Sequence, residues 1–409
     1  MTIKSLLRAW NDFFFAEQSP VPIALFRIFY GVMVVATLVL LEPDWLNWYG
    51  PHAWLSLSTM HVLEPGPRLN LFTLIPQTNF WINLFFWVFL LSATLLAIGL
   101  LTRLNSVLVF VCIESMHQRN LYINHGGDTF LRLAGFFLMF APAGAALSID
   151  RLIRIWRGKE VAIVRPRAPW AQRMIQYELA MMYLATFCWK IQGAPWIQGT
   201  ALYYVYHLDE LRRFPLPSFF LRPLSLKVAG WAVLALEFCL GVLIWVKELR
   251  YYILAAGLLF HLILEYSVNI PLFQWDILTA YILFVDPADL ARVWNRVCVR
   301  MAPHLGEPVT VIYDARSPRL RTRANLLAAI DIFRRVTLVD ERNMGDGADA
   351  DVGARGIALS PRSRKGLLVA TPTGVYEGSE AVPVLAAAIP LLRPFAMTVA
   401  LRKLLPLGI

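Results

Sequence analysis

Charge is scarce in this chain of 409 residues: 16% are Asp, Glu, Lys or Arg, and 58% are hydrophobic. A soluble domain carries about 25% charged residues, so an ordinary soluble globular protein is excluded. Cysteine is scarcer still. Cys112, Cys188, Cys239 and Cys298 never stand as CxxC, so thiol–disulfide exchange has no dithiol to use. They are expected to be buried, inert thiols. The HExxH signature of a helical zinc site is missing, and no metal is predicted. No cleavable leader is expected, and no clear internal repeat is read. The net charge of +10 gathers in loops beside apolar runs. RSPRLRTR is basic but short and offers no aromatic stacking platform, so nucleic acid is not an expected partner.

Apolar sequence of helical length is what remains. A membrane span needs about 20 mostly apolar residues. Candidates lie near 22–41, 79–101, 104–117, 129–147, 174–191, 228–246, 251–268 and 270–286. The predicted fold is therefore a polytopic α-helical membrane bundle with about eight spans, and the lipid bilayer is its first partner. Fourteen Trp suit the membrane–water interfaces. Residues 1–20 set Lys4 and Arg8 among aromatics at helical spacing, which predicts an interfacial amphipathic helix.

Loop charge orients the bundle. Arg151, Arg154, Arg157, Lys159, Arg165, Arg167 and Arg173 crowd one loop, whereas 42–78 holds only Arg68. The first is expected in the cytoplasm and the second outside. Both termini are then cytoplasmic, in a multi-pass protein of a bacterial inner membrane. Residues 192–227 run against the rule, placing Arg212, Arg213, Arg222 and Lys227 outside.

The character changes after the transmembrane region, 21–287. Residues 288–307 read as a basic linker, and 308–409 as a cytoplasmic α/β domain with a mixed sheet: VTVIY, RRVTLVD and GLLVATPTGVYE as strands, TRANLLAAIDIF and AVPVLAAAI as helices.

Few polar residues interrupt the spans. Lys190 ends one of them and is followed by IQGAPWIQG. A span-terminal lysine ordinarily snorkels to the headgroups. Here small residues with Pro195 and Trp196 can turn the chain back over the amine, and a sheltered neutral amine is a general base. INHGGD reads as a turn in which Asp128 caps the next helix, while Gly126 and Gly127 let another group approach closely. The predicted topology puts His125 and Lys190 at one membrane face, although 65 residues separate them. His261 and Glu265 share a helical face. Glu237, Glu114 and Asp276 are carboxyls within spans, with Arg27 and Arg132 as obvious partners. Such groups either glue helices together or mark function. In YDARSPRL a strand ends at Asp314 and a helix opens after Ser317.

Two resemblances rest on these motifs. Residues 20–290 resemble the horizontally transferred transmembrane (HTTM) domain family, which includes vitamin K-dependent γ-carboxylase. PIALFRIFYG, LFFWVFLLSATLLAIGLLTR, QRNLYINHGGDTFLRL, SID, YLATFCWKIQGAPWIQG and FHLILEYSVNIPLF carry the similarity. It implies a reduced, vitamin K-like quinone as cofactor, Lys190 as the base that deprotonates it, and His125 as the group that stabilises the intermediate. Asn124, Asp128, Trp196, His261, Glu265 and Arg119 are the further pocket candidates, and a peptide is the implied substrate. The region by which animal carboxylases hold a propeptide has no counterpart. Residues 308–409 are similar to the DCC family, thioredoxin-like domains named for DxxCxxC. Asp314 is kept, but Ser317 and Leu320 stand where the cysteines belong, so a thioredoxin-like fold is implied without its redox activity. Two functions follow: quinol-dependent carboxylation or related chemistry at the outer face, or a non-catalytic lipid- or quinone-binding membrane protein whose cytoplasmic domain engages a protein partner.

Overall fold

Apolar runs become helices wherever they are long enough. In the computed structural model, which describes residues 2–344 and 366–393, each of the eight predicted spans overlaps a helix. Four stretches, Val21–Tyr49, Asn79–Ile98, Pro223–Gly241 and Lys247–Ser267, are long and apolar enough to cross a membrane. The other predicted spans fall on Thr102–Arg119, Gly126–Leu138, Trp170–Lys190 and Phe273–Tyr281. Of these, Gly126–Leu138 has 13 residues and Phe273–Tyr281 has 9. Trp170–Lys190 spends its first half on Gln172, Arg173, Gln176 and Glu178.

These helices belong to one compact unit, Met1–Ser148 with Pro166–Asp286. Its core is aromatic and aliphatic, built around Phe26, Tyr30, Phe72, Phe89, Phe130 and Leu179. Backbones approach closely where side chains are small. A Cβ on Gly31 would stand 2.8 Å from that of Ala97. Tyr30 ties its helix to Gly126–Leu138 by donating to the Leu131 carbonyl at 2.9 Å. Arg27 is fully buried and donates to the carbonyls of Ala143, Ala97 and Leu147 at 3.0, 3.3 and 2.6 Å. It thus satisfies backbone carbonyls at the end of Asn79–Ile98 and in the turn that follows Gly126–Leu138. Arg132 pairs with Glu114 at 3.4 Å. The amphipathic N-terminal segment forms the helix Ile3–Phe15, none of whose residues is buried.

The second unit joins Ile149–Arg165 to the described residues from Pro287 on. Strands β1 (Val309–Tyr313), β2 (Val336–Asp340), β3 (Leu368–Thr371) and β4 (Gly374–Glu377) form one sheet in the order β2-β1-β3-β4. β1 and β2 run parallel, joined through the helix Pro318–Ile330. β3 is antiparallel to β1, and β4 to β3. Val311, Leu320, Leu327, Val369 and Leu385 fill the core. Of the stretch 308–409, residues 345–365 and 394–409 lie outside the described residues.

Two segments differ from expectation. Where a linker was predicted, Pro287–Met301 is a helix. Trp294 Nε1 donates to the Ile332 carbonyl at 2.8 Å, and Cys298 is buried beside it. The first part of the arginine-rich stretch, Ile149–Arg165, also folds into this unit. Glu160 joins Arg151 at 3.3 Å and Arg154 at 2.7 Å, and the Ala162 N–H donates to Asn325 Oδ1 at 2.8 Å. The thiols are not uniformly buried either. Cys188 is exposed and Cys239 half-buried, because neither helix turns that face fully into the core.

Candidate ligand site

The INHGGD turn starts the helix Gly126–Leu138, and the imidazole is its cap. His125 Nδ1 accepts the Gly127 N–H at 3.0 Å, and Asp128 Oδ2 accepts the His125 N–H at 2.8 Å. The pair forms a reciprocal capping box, so Asp128 shares the role expected of it alone. A neutral His125 that accepts at Nδ1 carries its proton on Nε2, which leaves an N–H donor. Gly127 leaves little room for a side chain. A Cβ would lie 2.8 Å from His125 Cε1 and 3.1 Å from Asp276 Oδ2. Phe273 packs edge-on against the His125 ring, with centroids 5.7 Å apart.

A cavity of about 350 Å³ opens beside this turn. Its polar end holds His117, Asn124, His125, Asp128 and Asp276, and Leu40, Leu41, Trp48, Tyr49 and Leu272 are among its less polar walls. Asn124 Nδ2 donates to the His117 carbonyl at 3.1 Å. His117 Nε2 stands 3.8 Å from Asp128 Oδ1. Asp276 is 1% exposed. Its Oδ1 and His117 Nδ1 have no hydrogen-bond partner among the described residues.

Lys190 occupies a second centre. Its amine forms an ion pair with Glu237, on the helix Pro223–Gly241, and lies 4.6 Å from the Trp196 ring centroid. The turn after the helix makes this possible. The Gly193 N–H donates to the Lys190 carbonyl at 3.0 Å, and the short helix Ala194–Gln198 brings Trp196 back over the amine. Lys190 is not among the residues lining the His125 cavity.

His261 lies in a third, fully buried cluster. Its Nε2 is 2.6 Å from the Tyr183 hydroxyl and its Nδ1 is 2.5 Å from Gln274 Oε1, and the Tyr183 and Tyr281 hydroxyls are 2.9 Å apart. With Gln274 Oε1 as acceptor, Nδ1 carries the proton, so Tyr183 donates to His261 and Tyr281 to Tyr183. Phe273 links this cluster to the cavity: its ring centroid is 6.4 Å from that of His261. Glu265 pairs with Arg213 rather than joining His261. Arg119 is fully buried, and its Nε and Nη1 have no partner among the described residues.

In the sheet unit, Asp314 Oδ1 accepts the Arg316 N–H at 2.9 Å, and Ser317 caps the helix Pro318–Ile330 by accepting the Leu320 N–H at 3.4 Å. Leu320 is buried in the core. Among the described residues no group of three or more His, Cys, Asp or Glu is arranged to hold a metal ion.

The structure thus brings Asn124, His125 and Asp128 together, and Lys190 with Trp196. It adds His117 and Asp276 to the cavity, Glu237 to Lys190, and Tyr183, Gln274 and Tyr281 to His261. A family model described as HTTM domain matches residues 15–288. No curated protein and no solved structure matches the chain.

Proposed function

Because this chain belongs to the HTTM domain family, we propose that it is a multi-pass membrane enzyme acting on a reduced quinone, with chemistry similar to that of vitamin K-dependent γ-carboxylase. Family and apolar helices together mark an integral membrane protein. One observation carries the proposal: the His125 cavity joins an aromatic and aliphatic wall to a hydrogen-bonding end, which suits a ring bearing oxygens. A lipophilic pocket with a few convergent polar groups is the usual form of a small-molecule site. The orphaned Asp276 Oδ1 fits a ligand that brings a donor. Bound there, a quinol supplies the electrons that activate oxygen. His125 offers its Nε2–H to a ligand oxygen, with Asp128 fixing the backbone behind it. Trp48 and Tyr49 help exclude water. Lys190 and Glu237, which do not line that cavity, form the proton-transfer pair of a second centre: a proton passed to the carboxylate leaves a neutral amine able to act as base. Trp196 limits access of water to that amine.

Eight spans with both termini in the cytoplasm of a bacterial cell complete the proposal, and a peptide is its second substrate. The sheet order β2-β1-β3-β4, with a parallel β1/β2 pair joined through a helix, supports a thioredoxin-like, DCC-type domain that serves a protein partner.

A second reading, a non-catalytic quinone- or lipid-binding protein, draws on the same Lys190–Glu237 pair: an amine held as an ammonium is not a base. Quinol consumption by the full chain in proteoliposomes, supplied with a reduced menaquinone and oxygen, separates the two. The enzyme reading expects turnover that falls about a hundredfold or more in His125→Ala and Lys190→Ala. Quinol that binds but is not consumed, in unaltered chain and variants alike, leaves the non-catalytic protein.

A further inference from the structure

We propose that Asp276 is the specificity-determining residue of the His125 cavity, and that the cavity takes an uncharged ligand through a hydroxyl group and rejects carboxylates. The proposal rests on this cavity being the ligand site put forward above.

Asp276 stands in the first turn of Phe273–Tyr281, is 1% exposed, and lines the cavity. Its Oδ1 has no partner among the described residues. A buried carboxylate without donors is costly, so the cavity is built to receive a donor. Asp128, the other carboxylate on the wall, already accepts the His125 N–H at 2.8 Å.

Across Gly127 from Asp276 lies His125. A Cβ on that glycine would sit 2.8 Å from the imidazole and 3.1 Å from the carboxylate, so the two groups flank one small residue. The His125 Nδ1 is occupied by the Gly127 N–H at 3.0 Å, which leaves Nε2–H as a donor. His125 and Asp276 therefore offer a donor and an acceptor on either side of Gly127. A hydroxyl can accept from the imidazole and donate to the carboxylate at once. An ammonium has nothing to accept with, and a carboxylate has nothing to donate.

Charge points the same way. No Lys or Arg lines the cavity, so an incoming carboxylate finds no cation to pair with in a poorly screened place. A full cation is not required either. The N-termini of Gly126–Leu138 and Phe273–Tyr281 both begin at this wall, and helix N-termini offset negative charge. If a peptide carboxylate is a substrate, it is held outside this cavity.

Three probes with one ring system test the proposal on the full chain in lipid nanodiscs: 1-naphthol, 1-naphthylmethylammonium and 1-naphthoate, titrated by calorimetry. The expected order is 1-naphthol tightest, with 1-naphthoate at least about tenfold weaker, as loss of a charge-assisted hydrogen bond implies. Asp276→Asn should weaken 1-naphthol about tenfold and narrow the gap to 1-naphthoate. The order on the unaltered chain is informative whether or not the variant folds. Tighter binding of the ammonium, or of the naphthoate, overturns the proposal. So does an Asp276→Asn chain that folds and binds all three unchanged. Leu41→Trp, which fills the cavity, reports on the site itself. Abolished binding there upholds the cavity even when Asp276 is acquitted. Unchanged binding of every probe places them elsewhere and removes the site.

Discussion

Lys190 and Glu237 are joined across two helices, and the Trp196 ring lies 4.6 Å from the same ammonium nitrogen. Glu237 is buried and its second oxygen, Oε2, has no partner among the described residues, so its charge depends on Lys190. Glu237→Gln should cost about 1–3 kcal/mol, below the range for a fully buried pair because Lys190 retains some exposure. Lys190→Met with Glu237→Leu should cost less than Glu237→Gln alone, since no charge is then left unpaired. Thermal unfolding in detergent measures both. Equal losses would mean that the pair contributes only packing.

The two glycines of the INHGGD turn should respond differently to alanine. At Gly127 the new Cβ meets the His125 ring at 2.8 Å, and that ring is already fixed as a cap. Gly127→Ala should cost about 1–3 kcal/mol and loosen the first turn of Gly126–Leu138. At Gly126 the nearest atom is Phe273 Cε2 at 3.3 Å, and a side chain can yield, so less than about 1 kcal/mol is expected. Hydrogen exchange at residues 126–130 in the two variants is the comparison to make.

The tyrosine chain behind His261 should be graded. Tyr183→Phe leaves both His261 Nε2 and the Tyr281 hydroxyl without the partner each has at 2.6 and 2.9 Å. A loss of about 1–3 kcal/mol is expected for stranding buried polar groups. Tyr281→Phe removes only the outermost donor and should cost less. The reverse order in melting temperature would show that Tyr183 is not the partner both groups depend on.

Asp331 sets a pH dependence in the sheet unit. Burial holds its carboxyl above the usual range, outweighing the Val336 N–H that it accepts at 2.7 Å. A group with a raised folded-state pKa contributes stability below its unfolded value, about 3.9 for Asp, and loses it as pH rises through the folded value. Protection of β2 against exchange, corrected for intrinsic rates, should therefore decline across that interval. Asp331→Asn should remove this dependence. A decline of the same size in the variant would assign it to another group.

The sequence made some of this legible and hid the rest for identifiable reasons. Apolar runs of spanning length located helices under every predicted span, and β-branched runs such as VTVIY and VTLVD marked their strands. INHGGD stood out because paired glycines next to a histidine need an explanation, and Gly127 supplies it in the Cβ space it lacks. Asp276 could not be tied to His125 in advance. The two stand on helices far apart in the chain, and only packing brings a carboxylate to that turn. The same holds for Gln274 beside His261. Residues 288–307 misled by composition. Arg292, Arg296 and Arg300 recur every fourth residue, which is also helical spacing, and Trp294 and Cys298 form the face that anchors the helix.

The stretch Ile149–Arg165 leaves the helical unit and returns to it, and between those points it supplies part of the sheet unit's fold. The polypeptide therefore passes from one unit to the other at 148–149, 165–166 and 286–287. A protein cut after Asp286 would strip Ala162 of its Asn325 acceptor and release Ile155, buried on the helix Ile149–Trp156, from its packing. Halving this molecule by truncation yields a damaged remainder, and any phenotype of such a deletion reports on both halves at once.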